Sequence, residues 1–531
     1  MGIVLRSLIV VHIIKKDKRF NSKGVFLKCF VLTMIESKSQ LLKDKGEKMR
    51  TRFLNIPVIL ALLFSVTLAG FTTTKQVVAQ AYVTSFITSI TYQNVDTITA
   101  TVTLQFYAES SGTAITVSRP DLAAGAGTSI FVGSLSEISP GFRGSAVLQS
   151  TANIVATLVQ VPQSTSVKNR PLSNGFSAGT SSVLIATVLK NQFSTTSVFS
   201  VQNVDTDAAD FTLSFINSTS PGTPIVITTT NVPAGATKYY GAGLLTELPS
   251  PFNGSVTINA VDTGTANPGS VVATALELST TGTGASAFES VSGGATTVYM
   301  ASALCNAFGG TNTAYAVQNS DSVTASVRVS YSNGFADGPY DIVPGAKRSF
   351  LGCAPSGMPA GFSGSSTITS TANIVAIGKV TGLGLSTAFL GASSGSQKLA
   401  LPYVRWSETQ YDTGVRQKAF IAIQNVGAPL NASDVTVTYK DKNGATVGIV
   451  HALGALATGA KLNSNPLCAN NVSCTAGGPA DEFGYYTDGT FGGSVIVEGP
   501  IGSQLVVVVR VQSKVTTDNS TVGEDYNGIS Y

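Results

Sequence analysis

The sequence predicts an all-β chain, four tandem antiparallel β-sandwich domains after a signal peptide, and three observations predict it. The heptapeptide Ser-Thr-Ala-Asn-Ile-Val-Ala occurs twice without change, at 150–156 and 370–376. A longer pattern built around it recurs four times at the spacing of a domain. Within each copy apolar residues alternate with polar ones, the period of a strand with one buried face, and no long segment follows the 3.6-residue helical period.

The first element in chain order is a leader. Met49-Arg50-Thr51-Arg52 followed by the apolar run from Ile56 to Phe64 has the basic and hydrophobic regions of a secretory signal, and Ala79-Gln80-Ala81 supplies a small-x-small cleavage site. The stretch 56–69 holds 14 residues, short of the roughly 20 that span a bilayer, so cleavage is expected rather than anchoring. Residues 49–81 thus read as the signal peptide. Residues 1–48 read as a mis-assigned upstream extension before a true start at Met49, consistent with Lys45-Gly46-Glu47, which a purine-rich ribosome-binding stretch would encode.

Removing the leader reverses the charge. Residues 1–81 hold 14 of the 33 Lys and Arg and 4 of the 29 Asp and Glu, which leaves 19 basic against 25 acidic side chains, a net charge of −6. Nucleic-acid binding needs a basic footprint, so no nucleic-acid partner is expected. Of five cysteines, Cys29 lies upstream, and Cys305, Cys353, Cys468 and Cys474 remain as disulfide candidates. Cys468 and Cys474 share one loop and can close a small ring, leaving Cys305 for Cys353, with three pairings formally open. No histidine partner or paired Cys-x-x-Cys spacing accompanies them, so no zinc site is expected.

The repeated pattern follows, in modules assigned to 82–178, 179–293, 294–395 and 396–531. Each opens on a Gln-Asn marker whose asparagines, Asn94, Asn203, Asn319 and Asn425, stand 109, 116 and 106 residues apart. Alternating apolar residues come next, Val102, Leu104 and Phe106 in the first copy and Phe211, Leu213 and Phe215 in the second. A turn then carries Gly125, Gly235, Gly345 or Gly459, residues able to take a positive φ. Phe-x-Gly-Ser follows, with Gly144, Gly254, Gly364 and Gly493, and then a second apolar strand such as Ile154-Val155-Ala156. Modules two to four also have a lead strand before the Gln-Asn marker. The first has no room for one after the leader, which predicts an uncovered sheet edge there once the leader is removed. A short aromatic-Gly segment closes each module, the last being Tyr526-Asn527-Gly528, and no transmembrane segment is expected in the mature chain.

This unit, lead strand, Val-Gln-Asn, Pro-Gly-Ala turn, Phe-x-Gly-Ser and Ile-Val-Ala, resembles the tandem immunoglobulin-like β-sandwich modules of secreted and cell-surface bacterial proteins, over essentially all of residues 82–531. The resemblance implies an Ig-like fold and an extracellular setting, and brings no catalytic or ligand-binding residue with it.

Side chains that carry chemistry are sparse. His451 is the single histidine after the leader and has no nucleophile elbow nearby. The adjacent acids Asp481-Glu482 and Glu524-Asp525 sit in glycine-rich, turn-like sequence and are expected to be solvated; neighbours on a strand also point to opposite faces, which does not suit a glycosidase pair. Asp96, Asp205 and Asp321 follow the marker asparagines by two residues, where an Asx-type turn accounts for them more simply than calcium. The marker amides read as turn caps or strand-bridging groups, and Trp406 as a side chain packed under the insertion of the fourth module. No catalytic, cofactor-binding or metal-binding residue is nominated, and no cofactor is expected.

The expected function is therefore a non-enzymatic extracellular structural or adhesive repeat protein: a surface coat, matrix component or spacer rod, secreted or at the cell surface. Its expected partners are other copies of itself or polysaccharide and protein of the cell surface or matrix. Self-assembly would follow if the open edge of the first module accepted the segment 518–531 of a neighbour. A carbohydrate-binding module array is the alternative, and a secreted hydrolase the third reading.

Overall fold

The computed structural model describes residues 7–14, 84–163, 166–406, 417–466 and 491–531. The leader segment, Cys29, Cys468, Cys474, Asp481 and Glu482 lie outside these residues. The chain divides into two compact bodies, one of Met1–Lys16 with Ala81–Tyr531 and one of Asp17–Gln80, and every described residue belongs to the first.

That body is built of strands, paired antiparallel in every ladder. The first eight are β1 (Ser7–Ile14), β2 (Phe86–Asn94), β3 (Val102–Ala108), β4 (Ala114–Ser118), β5 (Gly127–Phe131), β6 (Arg143–Ser150), β7 (Ile154–Pro162) and β8 (Leu172–Asn174). They form two sheets, ordered β1-β6-β3-β4 and β5-β2-β7-β8. The next eight are β9 (Ser182–Lys190), β10 (Thr195–Asn203), β11 (Ala209–Asn217), β12 (Ile225–Val232), β13 (Thr237–Gly241), β14 (Phe252–Asp262), β15 (Val271–Ser279) and β16 (Ala285–Glu289). Their orders, β9-β14-β11-β12 and β13-β10-β15-β16, repeat the first pair strand for strand.

In the third group, β17 (Ala295–Cys305), β18 (Asn312–Asn319), β19 (Ala325–Tyr331), β20 (Ala336–Ile342), β21 (Lys347–Leu351), β22 (Phe362–Gly382) and β23 (Leu385–Leu390), the long β22 serves both sheets. Its first half pairs with β17 and β19 and its second with β18 and β23. The fourth group comprises β24 (Lys398–Trp406), β25 (Lys418–Asn425), β26 (Thr436–Lys440), β27 (His451–Ala452), β28 (Lys461–Ser464), β29 (Phe491–Glu498), β30 (Leu505–Lys514), β31 (Thr521–Asn527) and β32 (Ile529–Ser530). Its ladders keep the same neighbours, with β29 between β24 and β26 and β25 between β28 and β30.

The alternation read from the sequence sets this up. Phe211, Leu213 and Phe215 are fully buried while Thr212 and Ser214 between them are half-buried, so one face of β11 enters a core that Phe199, Val201 and Ala273 of the other sheet also line. The turn glycines Gly125, Gly235, Gly345 and Gly459 all take φ between 72° and 77°, the left-handed conformation that only glycine adopts freely.

The repeated heptapeptide is the crossover between the two sheets of its module. In both copies its hydroxyls satisfy backbone groups: Thr151 and Thr371 Oγ1 each accept from the N–H of a residue near the facing strand, Thr101 and Ser326, at 2.9 Å. Asp96 and Asp321 in turn accept from the N–H of Asn153 and Asn373 at 3.3 Å. Identical sequence here makes identical hydrogen bonds.

In the chain that keeps its leader, β1 pairs with β6 from Ser7 opposite Ser150 to Ile14 opposite Arg143, takes the place that β9, β17 and β24 hold elsewhere, and covers the edge expected to open on cleavage. Two other expectations are corrected. The segment 518–531 is not a free donor, because β31 pairs along its length with β30 and Val522, Glu524, Asp525 and Tyr526 are buried. Nor are the modules strung out as a spacer rod. The closing strands touch in a circuit, β8 with β16, β16 with β23, β23 with β31 and β31 with β8. The core of the fourth module takes in Val159 and Leu172 from the first.

Candidate functional site

The sequence markers meet at the seams between consecutive modules. Asn94 Nδ2 donates to the carbonyls of Ile98 at 2.7 Å and Leu122 at 3.0 Å, while its Oδ1 accepts from the Asp96 N–H at 3.0 Å. Asn203, Asn319 and Asn425 make the corresponding three bonds, so each buried marker amide caps its own turn. In the second and third modules the preceding glutamine reaches the turn glycine, Gln202 Nε2 donating to Gly235 O at 3.0 Å and Gln318 Nε2 to Gly345 O at 3.4 Å, whereas the side chains of Gln93 and Gln424 have no partner among the described residues.

Three of the turn-glycine carbonyls also accept from the module before. Ser145 Oγ donates to Gly235 O at 3.3 Å, Ser255 Oγ to Gly345 O at 2.5 Å and Ser365 Oγ to Gly459 O at 2.6 Å. The serine of Phe-x-Gly-Ser is therefore a clasp between modules. The glycine beside it permits close strand pairing within its own module, since a Cβ on Gly144 would fall 1.9 Å from Tyr107 O of β3 and one on Gly254 2.1 Å from Ile216 O of β11. Gly364 is held by Ser332 Oγ and the Phe362 ring in the same way. Gly493 of β29 sits opposite Val404 of β24, yet the hydroxyl of its neighbour Ser494 finds no hydrogen-bond partner among the described residues. The seam from the fourth module back to the first uses another contact, Gly127 N–H to Lys442 O at 3.3 Å.

Where the closing strands meet, one side chain joins all four modules. Asn169, fully buried, donates from Nδ2 to Thr283 O at 3.2 Å and Gly384 O at 2.9 Å, and accepts at Oδ1 from the N–H groups of Ser386 and Gly523 at 3.1 and 3.0 Å. Every polar valence of the amide is used. Beside it, Glu524 is 1% exposed and paired with Arg170 of the first module at 2.9 Å, and also accepts from Tyr403 and Gln417. Asp525, 2% exposed, takes a two-pronged bond from Arg510 at 2.9 and 2.7 Å. The expectation that these two acids are solvated is overturned: they lie on a buried strand, and its alternation sends them to different arginines. Burial raises the Glu524 carboxyl to about 7 despite Arg170. It does the same to Glu289, which accepts from the Asn174 N–H of the first module.

Clefts open along three of the seams, one of about 450 Å³ between the first and fourth modules lined by Asp96, Lys398, Lys440 and Glu498, and two of another kind. Between the second and third modules, Lys379 binds Glu277 at 2.6 Å and Lys347 donates to Thr187 Oγ1 at 2.8 Å. Burial, with Lys379 alongside, lowers the Lys347 ammonium to about 7. Between the third and fourth, Lys461, Arg510 and Lys514 line a cleft of about 520 Å³. A phenylalanine stands at the edge of each: Phe193 at 71% and Phe308 at 72% exposure, with φ of 53° and 51°. A bulky side chain in the left-handed region is a strained arrangement that must be held by its surroundings. Sequence reasoning passed over both, although the shared Asn-x-Phe at 191–193 and 306–308 was a readable signal.

The remaining candidates fall apart from these seams. His451 Nδ1 lies 2.7 Å from Ser464 Oγ, which also contacts Tyr439 OH at 2.7 Å. Ser464 is 1% exposed, so this serine does not present its hydroxyl to a substrate. Trp406 is 3% exposed and packs edge-on against Phe420 at 5.7 Å. Asp205 caps a turn by accepting from the Thr206 N–H at 2.7 Å. No cluster of three His, Cys, Asp or Glu residues suited to a metal ion occurs among the described residues. Cys305 and Cys353 form a disulfide with Cα atoms 5.0 Å apart. No helix among the described residues is long and apolar enough to cross a membrane.

No family model and no curated protein matches the sequence. Among solved structures the chain has a faint likeness to a tetra-tandem repeat in the extending region of a large adhesion protein. It is 10% identical over 84% of this chain and 95% of that one, with a TM-score of 0.10, a level that carries no argument.

Proposed function

We propose that this chain is a non-enzymatic extracellular structural or adhesive protein whose four Ig-like β-sandwich modules, 82–178, 179–293, 294–395 and 396–531, work as one welded block. The observation that supports this most is the clasp made three times by the same two sequence markers, Ser145 to Gly235, Ser255 to Gly345 and Ser365 to Gly459. The serine of one recurring motif and the turn glycine of another join consecutive modules, and surfaces and loops are left to meet partners. Secretion through the leader at 49–81 belongs to the same reading. The direct test is retention of cells or matrix polysaccharide on beads coated with the full chain, against beads coated with an inert protein. Turnover of ester, peptide or glycoside substrates that is lost in His451→Ala would overturn it in favour of a hydrolase.

Strand addition supplies a way to assemble. The slot along β6 accepts β1, and cleavage after Ala81 would remove β1 and leave the slot to a strand from another copy or a surface partner. Chains beginning at Tyr82 are then expected to associate as concentration rises, whereas a strictly monomeric truncated chain contradicts assembly by this route. A second reading, a carbohydrate-binding array, is favoured by one observation, the exposed Phe193 and Phe308 at the edges of clefts lined with hydroxyl and amide groups.

A further inference from the structure

The two clefts edged by a phenylalanine occupy equivalent places. Lys461 pairs opposite Gln424 as Lys347 pairs opposite Gln318, and Arg510 opposite Phe420 as Lys379 opposite Ala314, four residues before the same glutamines. At the seam between the first and second modules these places hold Thr237 and Leu276. The cationic pairs thus coincide with the seams where an exposed phenylalanine is held at positive φ.

The clefts differ in charge. Glu277 lines the cleft between the second and third modules and binds Lys379. No Asp or Glu lines the other among the described residues; Arg510 there is held by Asp525, leaving Lys461 and Lys514 to set its sign. Asn463, Asn465 and Gln512 add side-chain amides, each both donor and acceptor. Phe308 and Leu383, 72% and 51% exposed, supply an apolar rim. The aromatic comes from the third module and the cations from the fourth, so the site exists only while the seam is closed.

We infer that this cleft binds a carboxylated sugar chain, with Lys461 and Lys514 facing a carboxylate, the amides taking hydroxyls and the Phe308 ring lying under a sugar face. Paired amides suit hydroxyl groups that give and accept, and an open ring suits the apolar face of a pyranose. An acidic peptide fits less well, because it would supply carboxylates but few of the hydroxyls that the Asn463, Asn465 and Gln512 amides suit. The inference rests on the carbohydrate-binding reading and adds to it the charge of the ligand and the seam that holds it.

Titration calorimetry of the full chain with hexagalacturonate is the test, with its methyl ester and polyglutamate as comparisons. Binding of the free acid is expected to weaken about tenfold in Lys461→Gln and in Phe308→Ala, a loss typical of one charge-assisted contact or one aromatic contact, and to be unchanged in Ile501→Ala, an exposed position outside the cleft. Melting curves check that the variants fold. Equal binding of the methyl ester would overturn the acidic ligand and leave sugar binding standing. Absence of binding to either oligomer would sink both. Polyglutamate bound as tightly as the uronate, or uronate binding unmoved by both substitutions, would also overturn the inference.

Discussion

Asn169 Oδ1 accepts a hydrogen bond from the Gly523 N–H at 3.0 Å, so the first module is tied to the fourth across 354 residues of chain. Its amide nitrogen ties the second and third modules at the same point. Asn169→Ala would take this partner from the buried Gly523 N–H, the part-buried Ser386 N–H and the Gly384 carbonyl, while Thr283 O keeps the backbone N–H of Lys168, at about 1–3 kcal/mol for each group that water cannot reach. The expected outcome in scanning calorimetry is a lower and broader transition, with modules beginning to melt separately.

The clasp gives a graded series. Ser255→Ala removes one hydrogen bond to Gly345 O, for a loss of about 1 kcal/mol. Gly254→Ala forces a Cβ to within 2.1 Å of Ile216 O and is expected to cost more than about 3 kcal/mol. Ser494→Ala at the closing seam, where that serine has no described partner, is expected to change little. Chemical denaturation of the three variants checks the order.

Stability is expected to dip near neutral pH. Glu524 and Glu289 are raised from 4.5 to about 7 by burial, so the folded chain holds protons that the unfolded chain has released; their contribution is complete below about 4.5 and is lost as pH rises through 7. Lys347 runs the other way. Burial lowers it from 10.5 to about 7, so its cost in the folded state fades between pH 7 and the ordinary lysine value. Melting temperatures across pH 4 to 10 should show both limbs, with Glu289→Gln flattening the acid side and Lys347→Met the alkaline side.

The Cys305–Cys353 disulfide closes a loop of 48 residues, worth about 4 kcal/mol on chain-entropy grounds. Cys353→Ser, at an exposed position, is expected to lower the stability of the block by up to that amount, read by chemical denaturation under oxidising conditions.

Strand character was legible wherever the alternation of apolar residues was strict, as at Phe211, Leu213 and Phe215, because one-sided burial leaves a period of two. The turn glycines were legible for a local reason too, since φ near 75° excludes most other residues. The seams were not. Ser145, Ser255 and Ser365 read as part of a module because their role lies in the next one, about 90 residues on, and nothing local to the motif records it. Glu524 and Asp525 looked solvated because glycine and asparagine flank them. Gly523 is in fact needed for close strand packing, its Cβ position lying 2.5 Å from Val511 O. Asn169 has no counterpart among the markers, so repetition could not reveal it.

The central claim, that the modules form one block rather than a string, is tested most directly by zero-length carbodiimide coupling of the unmodified chain, read by mass spectrometry on the monomer. Lys168 Nζ and Asp518 Oδ2 lie 3.5 Å apart across the seam of the first and fourth modules, and Lys398 and Glu498, also 3.5 Å apart, provide a control within the fourth. The account predicts both cross-links in the monomer. The control link without the Lys168–Asp518 link would contradict it.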